Sequence, residues 1–165
     1  MNCSLLENNR TRKKRRRKLS VAALCINWAS AALGAEKCST ANAAGKWEFS
    51  LEGTLFVPNP VPGAAVGTAS LDAAGNATGT EARNVGGGFA NETITGSWTV
   101  NSDCTGILTA NIYESGVLVR VSVLSLVFYD NSTKFRGVQQ SLTLPDGTPV
   151  PVVLTFEGNK LFTDD

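Results

Sequence analysis

The chain has 165 residues, which is enough for one domain and too few for two of ordinary size. It contains no histidine, and this excludes the commonest general base, Ser-His-Asp and Cys-His nucleophile pairs, and most zinc and copper sites. The net charge of +1 hides a segregation, since residues 10–18 hold eight basic side chains, whereas residues 36–165 hold 7 basic and 13 acidic ones, a net charge of −6. That acidic part argues against nucleic acid as a partner.

The N-terminal segment has the pattern of an export signal. The basic residues 10–18 precede an uncharged run, residues 19–35, that ends in small side chains. A basic head, an apolar middle and a small-residue end are typical of a secretory signal peptide. We therefore expect residues 1–35 to form a signal-peptide helix that is cleaved within 31–37, which leaves residues 36–165 as a secreted or periplasmic domain without a membrane span. A nucleic-acid-binding arm and a retained anchor remain alternatives, although a span needs about 20 apolar residues.

Four cysteines divide between the two parts of the chain. Cys3 and Cys25 leave with the predicted signal, and Cys38 and Cys104 remain as an even pair in an oxidising compartment. A bond between them would close a loop of about 66 residues and stabilise the fold by about 4 kcal/mol. Two free thiols or a metal pair are the alternatives, but two cysteines without histidine make a poor metal site. We therefore expect a Cys38–Cys104 disulfide, no metal and no cofactor.

The rest of the chain reads as β-structure. Alternation of apolar and polar residues with a period of two recurs, and turn residues separate the alternating segments. The sequence predicts eight strands, at residues 47–51, 66–71, 77–82, 94–100, 107–113, 117–129, 135–144 and 150–157. Residues 57–63, with three prolines, and residues 84–91, with three consecutive glycines, are predicted to be loops.

Short connections favour antiparallel pairing between neighbours in the chain, and therefore a meander. Eight strands are the natural number for a small closed barrel whose interior is filled by side chains or holds one small ligand. Closure also removes exposed strand edges. We therefore predict an all-β fold, an eight-stranded antiparallel meander closed into a small β-barrel, with a two-sheet β-sandwich as the alternative.

The sixth predicted strand is unusual because residues 117–128 are apolar on both faces. Val117, Val119, Val121, Val123 and Val127 lie on one face, and Leu118, Leu124, Leu126 and Phe128 lie on the other. A barrel strand with one face in water should alternate instead. We therefore expect the outer face to be covered, either by a chain terminus or by a second copy in a homo-oligomer.

Two motifs resemble a known group of proteins. Gly45-Lys46-Trp47-Glu48-Phe49 and the segment Gly96-Ser97-Trp98-Thr99-Val100-Asn101-Ser102-Asp103-Cys104-Thr105-Gly106 resemble a family of small secreted, largely uncharacterised bacterial β proteins, as does the segment from Asp72 to Gly79. The resemblance implies an eight-stranded barrel similar to the calycins and to allene oxide cyclase. The Gly-x-Trp opening is also similar to that of lipocalins and avidins. The family brings no known activity and no catalytic residues.

Few side chains are candidates for a site. Trp47, Phe49 and Trp98 are candidate ligand contacts or core residues, and Arg120 is the single charge within the longest apolar strand. A buried charge needs a partner, whereas an outward arginine lays its stem along apolar surface. Glu48 and Glu52 share a strand face and could belong to a polar pocket. We expect the other carboxylates to lie in solvent, at turns and strand ends.

These observations favour a non-catalytic module that binds a small apolar ligand or serves as a structural or interaction scaffold. The alternative is a cyclase or isomerase of the allene oxide cyclase kind that acts on an apolar substrate. An open apolar lumen that receives a polar group such as Arg120 would favour the enzyme, and a filled lumen would favour a scaffold. Both rest on fold-level analogy.

Overall fold

The computed structural model describes residues 38–162, so the predicted signal peptide lies outside the described residues. One short helix and eight strands make up this part. Their bounds are α1 Thr40–Ala43, β1 Gly45–Phe56, β2 Pro60–Leu71, β3 Asn76–Val85, β4 Gly88–Val100, β5 Thr105–Glu114, β6 Val117–Tyr129, β7 Lys134–Thr143 and β8 Val152–Leu161.

The strands form a closed antiparallel barrel. Each strand pairs with the next one in the chain, and β1 also pairs with β8, from Lys46 opposite Leu161 to Leu55 opposite Val152. The prediction of an eight-stranded meander barrel is confirmed, and the sandwich alternative is wrong because the β1–β8 pairing closes all eight strands into one sheet. Closure follows from the short connections, which keep every strand beside its chain neighbour.

The predicted alternation decides which side chains enter the barrel. In β4, Ala90, Glu92, Ile94 and Trp98 are buried and point inward, while the alternate residues Asn91, Thr93, Thr95 and Ser97 are exposed. The same period runs through β1, where Trp47 is completely buried between two outward-facing polar neighbours. The apolar core therefore lies inside the barrel.

Two predicted loops are shorter than predicted. In the segment 57–63, residues 57–59 connect β1 to β2, but β2 begins at Pro60, and Pro60 and Pro62 pair with β1. Pro62 lies just before the β2–β3 ladder, which begins at Gly63, so its missing N–H leaves no strand partner unpaired, and its carbonyl accepts from the Gly86 N–H.

The segment 84–91 is a tight hairpin rather than a long loop. β3 continues to Val85 and β4 starts at Gly88, so only Gly86 and Gly87 remain between them. Both glycines have positive φ, 57° and 92°, which is the conformation that a two-residue hairpin turn requires. The three glycines therefore shorten the connection instead of loosening it.

The lower end of the barrel carries α1 and the turns at 72–75, 101–104 and 130–133, and the upper end carries the other connections. Cys38 and Cys104 lie at disulfide distance at the lower end, with their Cα atoms 5.0 Å apart, and the predicted bond is confirmed. The bond fastens the segment that precedes α1 to the β4–β5 turn. Within residues 38–162, no helix is both long enough and apolar enough to cross a membrane.

From Arg120 to Tyr129, β6 alternates in spite of its composition. Leu124, Leu126 and Phe128 point inward and are at most 4% exposed. The predicted outward position of Val119 is wrong, because the β5–β6 register shifts there and Val119 packs inside against Ile94 and Ile112. Beyond the shift, Val117 lies opposite Glu114 at the upper end. We call Val121, Val123 and Val127, of which Val127 is 53% exposed, the outer valine stripe. Apolar residues thus occupy both faces of β6, and residues 38–162 leave part of the outer one in solvent.

Candidate functional site

Four aromatic side chains fill the lower part of the barrel. The rings of Trp47, Trp98, Phe128 and Phe135 contact one another, with centroid separations from 5.2 to 6.2 Å. Each indole N–H donates to a backbone carbonyl, Trp47 to Ala43 and Trp98 to Asp72, both at 3.1 Å. The ring contacts fill this end of the barrel, and both buried indole N–H groups have hydrogen-bond partners. We call this aromatic layer the floor of the barrel.

Glycines on neighbouring strands make room for two of the rings. Gly67 lies beneath the ring of Phe49, and Gly158 lies beneath the ring of Phe135. A side chain at either glycine would overlap the ring that covers it. The glycines therefore allow large aromatic residues to lie flat against the inner wall of a narrow barrel.

Above this floor the barrel encloses a cavity of about 350 Å³. Its walls are mainly aliphatic and include Leu51, Leu55, Ala65, Ala69, Ile94, Leu108, Ala110, Ile112, Leu124, Leu142 and Leu154. Val57 and Leu144 also line it at the upper end and are 52% and 40% exposed, so the cavity reaches solvent there. The volume lies at the lower end of the range of about 300–1,000 Å³ found for small-molecule sites.

A charged cluster interrupts the apolar wall on β3, β4 and β6. Arg120 points inward and donates to Glu81 from Nη2 at 2.6 Å. It also holds Glu92 with both terminal nitrogens, Nη1 and Nη2, each at 2.6 Å. Glu81 and Glu92 stand directly opposite each other in the β3–β4 register. One guanidinium therefore bridges two buried carboxyl groups that face the lumen.

A second arginine extends the cluster toward the upper end. Arg83 donates from Nε to Glu92 at 2.9 Å, and its Nη2 lies 3.5 Å from Glu114. The side chain of Glu114 is 46% exposed, whereas that of Glu92 is completely buried. Arg83 thus links the buried pair to the rim, where water screens the last carboxylate.

The two buried carboxyl groups differ in acidity. Burial raises the pKa of Glu81 to about 7, against the opposing charge of Arg120 and with the support of the neighbouring Glu92. Burial would also raise the pKa of Glu92, but hydrogen bonds and charge from Arg120, with help from Glu81 and Arg83, hold it below its ordinary value. At neutral pH Glu92 is ionised, and Glu81 exchanges a proton.

The sequence-based candidates fall in different places. Trp47, Phe49 and Arg120 line the cavity, whereas Trp98 lies in the floor beneath it. Arg120 is thus the inward arginine with buried partners, and the outward alternative is wrong. Glu48 and Glu52 lie on the outer wall, where Glu48 accepts from the Asn159 side chain at 2.9 Å. Neither belongs to the interior site.

The sequence reading missed the partners of Arg120. Glu81 and Glu92 were expected in solvent, yet they are only 5% and 2% exposed. Glu92 has the same strand parity as Ile94 and Trp98, and this already places it inside. The loop predicted at 84–91 concealed this signal, because the predicted strand after it starts at residue 94 and the alternation was not extended back to Glu92.

A larger depression, of about 700 Å³, lies on the outer wall across β8, β1, β2, β3 and β4. Short polar side chains line it, including Ser50, Thr68, Thr80 and Thr93, and it is open to solvent along its length. We take the interior cavity as the candidate site, because an enclosed apolar volume removes far more of a ligand's surface from water than a shallow depression does. Among the described residues, no group of three or more acidic or cysteine side chains could hold a metal ion.

Comparison with known proteins adds no assignment: no family model matches the chain, and no curated protein matches it. The interior cavity and its charged cluster are therefore the observations from which a function can be argued.

Proposed function

We propose that this protein is an exported binding module that holds a small apolar molecule in the barrel lumen. The observation that carries the proposal is the cavity of about 350 Å³, whose wall is mainly aliphatic and aromatic and holds one charged cluster. Burial of apolar surface supplies about 25 cal/mol per Å² of driving force, and the closed barrel is a preformed container that needs little reorganisation to bind. The Cys38–Cys104 disulfide supports an oxidising compartment outside the cytoplasm.

Native mass spectrometry of the purified protein tests the proposal, since it detects a co-purified small molecule directly. A cavity-filling variant sharpens the test. Ala110 is 4% exposed and faces the cavity, so Ala110→Leu should reduce the bound fraction, whereas Ala82→Leu on the outer face should leave it unchanged. Ligand occupancy equal to wild type in a folded Ala110→Leu variant would count against the lumen as the site.

The charged cluster favours a second candidate, an isomerase or cyclase that acts on an apolar substrate. Arg120 and Glu81 bring a guanidinium and an exchangeable proton to an apolar cavity, and such groups can polarise or protonate a bound molecule. An open apolar lumen that receives Arg120 meets the condition that favours an enzyme, but we rank binding first because Arg120 already makes three hydrogen bonds to carboxyl oxygens within the protein.

An isomerase changes the structure of the bound molecule without changing its mass, whereas a carrier does not change it at all. The co-purified molecule would be returned to fresh protein and followed by NMR, with Glu81→Gln as the comparison. An isomerase would produce new resonances that disappear in Glu81→Gln, and a carrier would return the molecule unchanged with both proteins.

The outer valine stripe supports a role in self-association. Each valine side chain is worth about 1.5–3 kcal/mol when it is fully buried, and a second copy offers an identical apolar stripe that closes by two-fold symmetry. We therefore propose a homo-oligomer packed through β6. In sedimentation at micromolar concentration, Val127→Gln should weaken association, and Thr93→Gln on another part of the wall should not. A wild-type monomer across this range would overturn the proposal.

A further inference from the structure

The charges that line the lumen do not balance. Of the described residues around the cavity, five are charged: the carboxyl groups of Glu81, Glu92 and Glu114, and the guanidinium groups of Arg83 and Arg120. With every group ionised the cluster carries one excess negative charge. Glu114 is 46% exposed and water screens it, so the cost of burial falls on Glu81 and Glu92, which share the guanidinium of Arg120 while Arg83 is shared between Glu92 and Glu114. The inner part of the site can therefore accept one more positive group.

The deficit is concentrated at Glu81. Glu92 accepts three charge-assisted hydrogen bonds, two from Arg120 and one from Arg83. Glu81 accepts one from an arginine, through the same Arg120 nitrogen that also serves Glu92. Its side chain is 3% exposed, so water compensates it little. Burial raises the pKa of Glu81 to about 7, so in the free protein a proton on Glu81 covers the deficit below that pH.

We propose that the lumen takes an apolar molecule that carries one amine, whose ammonium group binds at Glu81 and Glu92 and displaces the proton to solvent. The inference rests on the proposed function and specifies its ligand class. The aliphatic wall receives the carbon skeleton, and an ammonium group supplies both the missing charge and several N–H donors to two carboxyl groups that already face each other.

The same charge count predicts weaker binding of molecules with other head groups. A carboxylate would add a second excess negative charge and would compete with Glu81 and Glu92 for Arg120. A hydroxyl could donate one hydrogen bond but would leave the charge deficit in place. The order of affinity should therefore be amine, then alcohol, then carboxylate, for one and the same apolar skeleton.

Proton displacement makes amine binding depend on pH. The groups that face Glu81 are Arg83 on its own strand, Glu92 on β4 and Arg120 on β6. With the pKa of Glu81 at about 7, amine affinity should rise about tenfold from pH 6 to pH 8, because binding competes with a proton only at the lower pH. An alkylamine keeps its own charge in this window, since such groups titrate near pH 10.

The test uses octylamine, octanol and octanoate, measured by calorimetry at pH 6 and pH 8. At pH 8, the affinity for octylamine should be at least about tenfold higher than that for octanol, as expected for a charge-assisted hydrogen bond. At pH 6 it should release close to one proton, which is measured by repeating the titration in two buffers with different ionisation enthalpies. Octanoate should bind most weakly.

Two variants locate the effect. In Glu81→Gln, octylamine affinity should lose both its advantage over octanol and its pH dependence. Glu157→Gln removes an equal charge from the outer wall, where Glu157 pairs with Arg136, and should change nothing. Equal affinity for octanol and octylamine without proton release would overturn the amine inference and leave the binding function intact. Failure of all three probes to bind would overturn both.

Discussion

Replacing Arg120 by methionine tests whether the charged cluster is held together by a single guanidinium. The side chain of Arg120 is 17% exposed, and those of its partners Glu81 and Glu92 are 3% and 0% exposed. Methionine keeps most of the apolar stem and removes the charge, so the variant leaves two buried carboxyl groups without their shared partner. The fold should therefore lose stability mainly through uncompensated charge rather than through a cavity.

The expected loss can be bounded from the geometry. Removing one member of a buried ion pair typically costs about 3–5 kcal/mol. Here Arg83 still holds Glu92, and Glu81 can escape its charge by taking up a proton. We therefore expect Arg120→Met to lower the free energy of unfolding by about 3 kcal/mol at pH 8 and by clearly less at pH 5.5, where both carboxyl groups protonate more readily.

Urea denaturation at the two pH values, followed by the fluorescence of the buried Trp47 and Trp98, measures the effect. Arg136→Met is the matched control, because Arg136 pairs with Glu157 on the outer wall and both side chains are more than 60% exposed, so its loss should change stability by less than about 0.5 kcal/mol. Adding Glu81→Gln and Glu92→Gln to Arg120→Met should recover much of the loss. Equal losses for Arg120→Met at both pH values would refute the reasoning.

Three further predictions follow from the core and the lower end. Reduction of Cys38–Cys104 should lower the free energy of unfolding by about 4 kcal/mol, measured by urea denaturation with and without reductant. An unchanged urea midpoint would contradict a stabilising role of the disulfide. The raised pKa of Glu81 gives a stabilising contribution that is complete below pH 4.5 and is lost as the pH rises through 7, so wild type should lose about 2–3 kcal/mol from pH 5 to 8 relative to Glu81→Gln; parallel pH profiles would exclude it. Gly158→Ala should lower the melting temperature because its methyl group overlaps Phe135, and Phe135→Leu should relieve part of that loss; additive effects would show that the two residues act independently.

The sequence was sufficient for the fold because its signals are local and repeated. The alternation around Trp47 and Trp98 predicts which faces turn inward, and short turns predict antiparallel neighbours. The hairpin at Gly86 and the strand prolines were harder, since glycine and proline signal a loop wherever they stand. Whether they can lie in a strand depends on the neighbouring strand. Pro62 is tolerated because no β3 residue would accept a hydrogen bond from an N–H at that position.

The candidate site was only partly predictable for a different reason. Arg120 stands out in an apolar strand, and a buried charge requires a partner, but nothing in β6 identifies that partner. Glu81 and Glu92 precede Arg120 by 39 and 28 residues in the chain. They contact it because β3, β4, β5 and β6 are consecutive strands of one curved sheet. Strand parity could have placed Glu92 inside, whereas the position of the cluster along the barrel depends on strand register, which composition does not encode.

The seam between β1 and β8 has a consequence for how the barrel is made. Seven of its eight strand pairs join neighbours in the chain, but the eighth joins Glu48 to Asn159, 111 residues apart. Synthesis runs from the N-terminus, so β1 leaves the ribosome long before the strand that completes it. Until then β1 presents an open edge, and the loop that must close is nearly the whole barrel. We therefore expect closure of this seam to be the last and slowest step in folding, and wrong pairing of the unfinished chain to occur mainly at β1.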